Sequence, residues 1–240
     1  MKTPALDIML RSLRLPSMLA AYRGLAEHAV REDWGYEQYL QALAETETEA
    51  RSKRRIQRLL KLSNLPEGKT LATTDRKKIH PKVRMRIPAL LDGGFARRAE
   101  NILIFGLPGR GKTHLAAAIG HELVTAQKMP VLFTSAFALV QKLLKAKMEL
   151  RIDEAFARLD KFEVVIIDDI GYVQQTREEM EVLFTFLAER YERKSLIITS
   201  NLVFSEWDQI FKNPMTAAAA IDRLVHHSVI LEMIREKSIR

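Results

Sequence analysis

Asn101-Ile102-Leu103-Ile104-Phe105-Gly106-Leu107-Pro108-Gly109-Arg110-Gly111-Lys112-Thr113-His114-Leu115 reads as a short buried strand that runs into a glycine turn and then a helix. Gly106 to Thr113 fit G-x-x-x-x-G-K-[ST] without a gap, the pattern of a phosphate-binding loop. Successive backbone N–H groups must turn inward around phosphate oxygens, which a Cβ would obstruct, and the following helix adds its positive dipole end. In this reading Lys112 reaches the β- and γ-phosphates as a point charge and the Thr113 hydroxyl ligates Mg2+. The expected nucleotide contacts are Gly106, Leu107, Pro108, Gly109, Arg110, Gly111, Lys112, Thr113 and His114.

Downstream, the apolar run Val164 to Ile167 ends in Asp168-Asp169. A strand that ends this way presents carboxylates at the same sheet edge as the loop. Asp168 is the expected magnesium-side carboxylate, since a hard dication prefers oxygen and keeps part of its hydration shell. Asp169 is expected to orient and polarise the attacking water. The next apolar strand, Leu196 to Thr199, ends in Ser200-Asn201. Asn201 is the candidate for sensing the γ-phosphate, with a turn-forming Asn as the alternative. Arg223 follows a run of small and apolar residues. It is the first candidate for an arginine that stabilises transition-state charge in a neighbouring subunit, and pairing with Asp222 is its alternative. Arg190 and Arg193 are the other candidates. His114, His121, His226 and His227 show no metal-ligand spacing, and their side chains read as structural.

Strands alternate with helices through the second half, and several strands are uniformly apolar, which predicts a mostly parallel sheet covered on both faces. The first half reads differently. Helical spacing covers Thr3–Leu15, Pro16–Val30 and a long segment from Gly35 past Leu62. Pro66, Gly68, Pro81, Pro88 and Gly93-Gly94 then mark an irregular connection with one short helix near Val83–Leu91. The expected domains are a helical unit at 1–66, a basic linker at 67–98 and an ATPase core at 99–240.

The 240 residues carry a net charge of +8, all of it in the first part. Residues 1–98 hold 20 Lys+Arg against 11 Asp+Glu, whereas residues 99–240 hold 18 against 19. Between Arg51 and Arg86 stand 13 basic residues and two acidic ones. Such a segment can hold duplex DNA through its phosphates without reading sequence. Arg51, Arg54, Arg55, Arg58, Lys77 and Lys78 are the expected contacts; a solvated helix face followed by a charged linker is the alternative. Absence of cysteine and of any membrane-length apolar run points to the cytoplasm and excludes disulfides and thiolate metal sites.

Five stretches together, Asn101–His114, Asp168–Tyr172, Arg190–Asn201, Phe204–Phe211 and Ile221–His227, resemble the IstB-like ATPases. These are helpers of bacterial insertion sequences, related to DnaC helicase loaders within the AAA+ group. The resemblance covers nearly the whole chain. It implies a five-stranded parallel AAA+ core behind a small all-α N-terminal domain, with an inserted helical segment near Phe137–Leu159, where Lys142 and Lys145 would add DNA contacts. It further implies an ATP- and Mg2+-dependent, DNA-stimulated ATPase that assembles with copies of itself on double-stranded DNA and stimulates a cognate transposase. A DnaC-like helicase loader is the alternative, distinguished by its partner; a metabolic phosphotransferase and a nucleotide-gated module with negligible turnover are more distant ones. Two features depart from the family pattern. Arg110 occupies a loop position that is often Thr or Ser, and the chain's stop at Arg240 leaves no length for a C-terminal lid domain.

Overall fold

The computed structural model describes residues 4–75, 79–172, 176–202, 206–207, 222, 224–225 and 227–233. The chain forms two compact units, Met1–Arg58 and Leu59–Arg240.

The first unit is helical: α1 (Pro4–Ser12), α2 (Pro16–Arg31) and most of α3 (Tyr36–Ser63). Pro16 sits at the first helical position of α2, where its missing N–H costs nothing. The N-cap residue, Leu15, has no side chain to cap with, and a remote residue does the job. Glu47 of α3 accepts the backbone N–H groups of Ser17 (2.8 Å) and Met18 (3.2 Å) through one carboxylate oxygen. Its other oxygen receives Arg51 (2.9 Å) and Arg54 (3.1 Å), so a carboxylate only 3% exposed is fully engaged. Burial pushes the Glu47 carboxyl up, but the hydrogen bonds from Arg51, Met18 and Ser17 outweigh it and hold the group below the usual range.

The second unit is built on a five-stranded sheet. Its strands are β1 (Asn101–Phe105), β2 (Val131–Ser135), β3 (Val164–Asp168), β4 (Ser195–Ser200) and β5 (Ser228–Glu232). They lie in the order β2-β3-β4-β1-β5, and every pairing is parallel. Burial follows that order: all residues of the central β1 and β4 are buried, whereas β2 and β5 expose part of their length at the two edges. One face packs against α6 (Lys112–Thr125), the other against α7 (Ala136–Met148), α8 (Ile152–Leu159) and α9 (Arg177–Arg190). The Thr176/Glu179 capping box starts α9.

The expected linker of 67–98 is not one. It contains α4 (Pro81–Leu91) and α5 (Gly94–Arg97), and Ile79, Val83, Leu90, Phe95 and Ala96 are buried in the same core as β1 and α6. Proline and glycine spacing signalled breaks, but the apolar positions between them supply a packed layer. The division between compact units accordingly falls inside α3 at residue 58 rather than at 66. Residues 65–74 also run along α6, tied by His121 Nε2 to the Pro66 carbonyl (3.2 Å) and by His114 Nε2 to the Thr70 carbonyl (3.1 Å). The small and apolar residues between Thr216 and His226 predict a final helix, and that stretch lies largely outside the described residues.

Candidate functional site

Parallel strands align their carboxyl ends, and ligands of open parallel sheets bind along that rim. At the end of β1 the chain turns through Gly106 to Gly111. Gly109 and Gly111 adopt left-handed φ values of 75° and 84°, conformations a side chain would strain, and Gly111 is the N-cap of α6. Lys112 is the first residue of that helix and only 8% exposed. Its Nζ donates to the carbonyls of Gly106 (2.6 Å) and Leu107 (3.1 Å), which places the ammonium inside the turn. An ammonium has three donors, so one remains for a phosphate oxygen.

Asp168 ends β3 and Asp169 follows it. The sheet order places β4 between β3 and β1, yet both carboxylates act electrostatically on Lys112. Burial lowers the proton affinity of Lys112, and Asp169 and Asp168 oppose that shift. Asp169 moves the other way: burial first, then the charge of Asp168, raise its carboxyl above the ordinary value, against the pull of Lys112. Ammonium and both carboxylates therefore share one rim. Asp169 also holds a left-handed φ of 63°. Its backbone N–H donates to Thr199 Oγ1 (2.8 Å), and the same hydroxyl donates to Asp168 Oδ1 (2.7 Å). Thr199 was absent from the expected site residues. Its only signal in the sequence was its place at the end of the strand beside β3.

Asn201 follows β4, and its Oδ1 is buried without a partner among the described residues. A Cβ on Gly171, in the single turn of 3-10 helix Ile170–Tyr172, would collide with that oxygen. Asn201 thus packs against the segment that carries the two aspartates. The imidazole of His114 is engaged by the Thr70 carbonyl and lies 3.3 Å from Thr73 Oγ1, so any nucleotide contact at this residue falls to its backbone N–H.

Oxygen donors suit the expected cation. The Thr113 hydroxyl at the start of α6 and the Asp168 carboxylate are the chain's available ligands, and Asp168 Oδ1 is already partnered. Among the described residues no group of three or more His, Asp or Glu side chains could hold a metal by itself. That fits magnesium, which keeps several waters and is completed by substrate phosphates.

The arginine candidates separate. Arg190 is 1% exposed and donates to the carbonyls of Leu159 (3.2 Å), Phe162 (3.1 Å), Glu163 (3.2 Å) and Ser195 (3.1 Å). Those groups surround the amino ends of β3 and β4, the rim opposite the loop. Arg190 is a bolt within the fold and cannot reach a neighbouring subunit. Burial lowers its pKa to about 10 despite Asp160 and Glu163, so it stays charged at neutral pH. Arg193 pairs with Asp160 (2.7 Å) and Glu189 (3.2 Å). Arg223 lies outside the described residues.

The basic residues are less free than their clustering suggests. Arg51 and Arg54 each spend part of their guanidinium on Glu47, and Arg51 also donates to the Arg14 carbonyl (2.8 Å). Both side chains keep half their surface in solvent, while Arg55, Arg58 and Lys142 are exposed and Lys145 stands 3.8 Å from Glu149. Lys77 and Lys78 lie outside the described residues.

A glycine loop on β1, carboxylates on β3 and β4 inserted between them define a P-loop nucleotide-binding protein of the AAA+ class. The family model for the IstB-like ATP binding protein matches residues 8–240, and the chain belongs to that family. A putative insertion sequence ATP-binding protein of Sinorhizobium fredii is 44% identical over 95% of this chain and 76% of its own length. The IS5376 putative ATP-binding protein of Geobacillus stearothermophilus is 38% identical over 95% and 93%, respectively. Among solved structures, the DnaC helicase loader shares the fold with a TM-score of 0.56 at 17% identity, covering 73% of this chain and 98% of that one. DnaA bound to AMPPCP and single-stranded DNA gives 0.60 at 19%, covering 72% and 52%. The protein is thus an ATP-binding AAA+ protein of the insertion-sequence type. Among the described residues no helix is long and apolar enough to cross a membrane.

Proposed function

We propose that this chain hydrolyses ATP, assembles as an ATP-stabilised oligomer on duplex DNA and in that form stimulates the transposase of its insertion sequence. The observation that carries the catalytic part is the convergence of Lys112, Asp168 and Asp169 on one rim of the sheet. Loop N–H groups and Lys112 would hold the phosphates, and Thr113 and Asp168 would hold Mg2+, which would supply charge neutralisation to the phosphates. Asp169, whose carboxyl is held above the ordinary value, accepts the proton of the water that attacks the γ-phosphorus as the bond to the β-phosphate oxygen breaks. Asn201 positions that water. With Arg190 buried and Arg193 paired, Arg223 is the arginine assigned to the neighbouring nucleotide.

The DNA part rests on charge. Arg51, Arg54, Arg55 and Arg58 of α3, together with Lys77, Lys78, Lys142 and Lys145, form the assigned phosphate contacts. Association with a transposase rests on the relatives' names, which tie them to insertion sequences. Likeness to DnaC extends to the fold, so the loader reading has no observation of its own.

The test measures ATP-analogue binding, ATP turnover with and without duplex DNA, and sedimentation with and without nucleotide. The parent is expected to bind, turn over faster with DNA and sediment as a larger species with ATP; Lys112→Ala should lose all three. A parent that ignores ATP would sink the proposal. A monomer holding both ATP analogue and DNA would remove the oligomer, and purification with a replicative helicase instead of a transposase would favour the loader.

A further inference from the structure

The hydroxyl of Thr199 hydrogen-bonds to both aspartates of the site, to the side chain of Asp168 and the backbone of Asp169. Thr199 is 1% exposed and lies in β4, flanked by β3 on one side and β1 on the other. Its Oγ1 has one proton and spends it on Asp168 Oδ1 at 2.7 Å. The lone pairs of the same oxygen receive the Asp169 N–H at 2.8 Å. β3 ends at Asp168, so without this acceptor the Asp169 N–H would lack a partner just where the backbone enters its left-handed turn. A non-glycine residue in that conformation costs about 1 kcal/mol and persists where its surroundings fix it.

We propose that Thr199 is a positioning residue for the magnesium–nucleotide centre. By holding Asp168 Oδ1 it fixes the rotamer of the carboxylate that orders the cation's water shell and leaves Oδ2 for that task. By accepting from Asp169 N–H it fixes the turn that presents the Asp169 carboxylate to the attacking water. Groups that orient a metal's ligands typically change metal affinity or activity 10- to 100-fold when removed. The inference rests on the hydrolytic reading above. A purely structural threonine, present only to satisfy two polar groups, would influence stability and nothing else.

Thr199→Val keeps the shape and deletes the hydroxyl; Thr199→Ser keeps the hydroxyl and deletes the methyl. Three quantities separate the roles: fluorescent ADP binding in EDTA, Mn2+ affinity of the protein–ADP complex followed by electron paramagnetic resonance, and kcat and KM for ATP. For Thr199→Val we expect unchanged ADP binding in EDTA, Mn2+ affinity down roughly tenfold, kcat down 10- to 100-fold and KM for ATP little changed. Thr199→Ser should restore Mn2+ affinity and kcat to within about threefold of the parent. If Thr199→Val does not fold, Thr199→Cys, which fills the site with a weaker donor and acceptor, carries the same measurements. Parent-like Mn2+ affinity in the hydroxyl-free variant, or a folded serine variant as impaired as valine, would overturn the inference while the ATPase reading stands. A parent that binds no Mn2+–nucleotide would overturn both.

Discussion

At the scale of single residues, the site sets a buried ammonium against a half-buried carboxylate. Desolvation lowers the proton affinity of Lys112 and raises that of Asp169, and each opposes the shift of the other. Each charge thereby supports the other in a partly dry site, and Asp169 becomes a stronger base than a solvated carboxylate. Asp169→Asn keeps the volume and loses the basic oxygen, so ATP-analogue binding should stay within about threefold while DNA-stimulated turnover falls by 10²-fold or more. Equal turnover in parent and variant would remove Asp169 from the chemistry. The loop and the aspartates were legible because their spacing is dictated by a phosphate and a cation that do not change from fold to fold. Thr199 and Arg190 were not legible. One acts through contacts 30 and 31 residues away and the other mostly through carbonyls 27 to 31 residues upstream, and no local pattern encodes such partners. For Arg190 the consequence is stability: Arg190→Ala takes a donor from four carbonyls at the amino ends of β3 and β4, of which those of Leu159 and Glu163 keep only the N–H groups of Phe162 and Ser195. About 3 kcal/mol or more should be lost, roughly 6–12 °C in melting temperature by calorimetry, and nucleotide affinity at the opposite rim should be retained in the folded fraction.

Among the secondary-structure elements, the interior strands were legible because burial on both faces makes their apolar runs continuous. Runs of apolar residues at β1, β3 and β4 announced strands covered on both faces, and the sheet order explains why those runs are continuous: these three strands are interior. The segment 67–98 reads as a connection with one short helix, which is α4, because Pro81, Gly93 and Gly94 stand at the ends of α4 and α5 and Pro88 within α4; its apolar positions face the core all the same. Helix α2 shows a different kind of hidden determinant. Its N-terminus carries no capping residue, and the carboxylate of Glu47, 29 and 30 residues away, replaces one. Glu47→Gln should lower the stability of the helical unit by about 1–3 kcal/mol near neutral pH, measured by denaturant unfolding. The sign with pH follows from the depressed carboxyl. A folded-state pKa below the unfolded one gives stability that is complete above the ordinary glutamate range and lost as pH falls through the folded value. The gap between parent and variant should therefore be widest above the ordinary glutamate range and close as the pH falls below it.

At the scale of the whole molecule, charge is partitioned by position in the chain: an excess of nine positive charges precedes residue 99, and the remainder is close to neutral. A protein that neutralises phosphates releases condensed counterions, so the logarithm of its affinity falls with the logarithm of salt by about 0.9 per contact. Side chains already committed to internal acids contribute less to that slope than free ones. Arg51 and Arg54 share Glu47, whereas Arg58 is exposed and makes no ion pair among the described residues. Replacing Arg55 and Arg58 by Gln should lower the salt slope of duplex binding by at least about 1, the share of the uncommitted Arg58, and weaken binding evenly across unrelated sequences. Replacing Arg51 by Gln should cost less slope than replacing Arg58 and destabilise the helical unit, because its partner is a carboxylate that is 3% exposed. Filter binding or fluorescence anisotropy over a series of salt concentrations reads both numbers. A slope unchanged by the Arg55/Arg58 pair, with folding intact, would place the phosphate contacts elsewhere, and the same titration on Lys142→Gln/Lys145→Gln would then show whether α7 carries them.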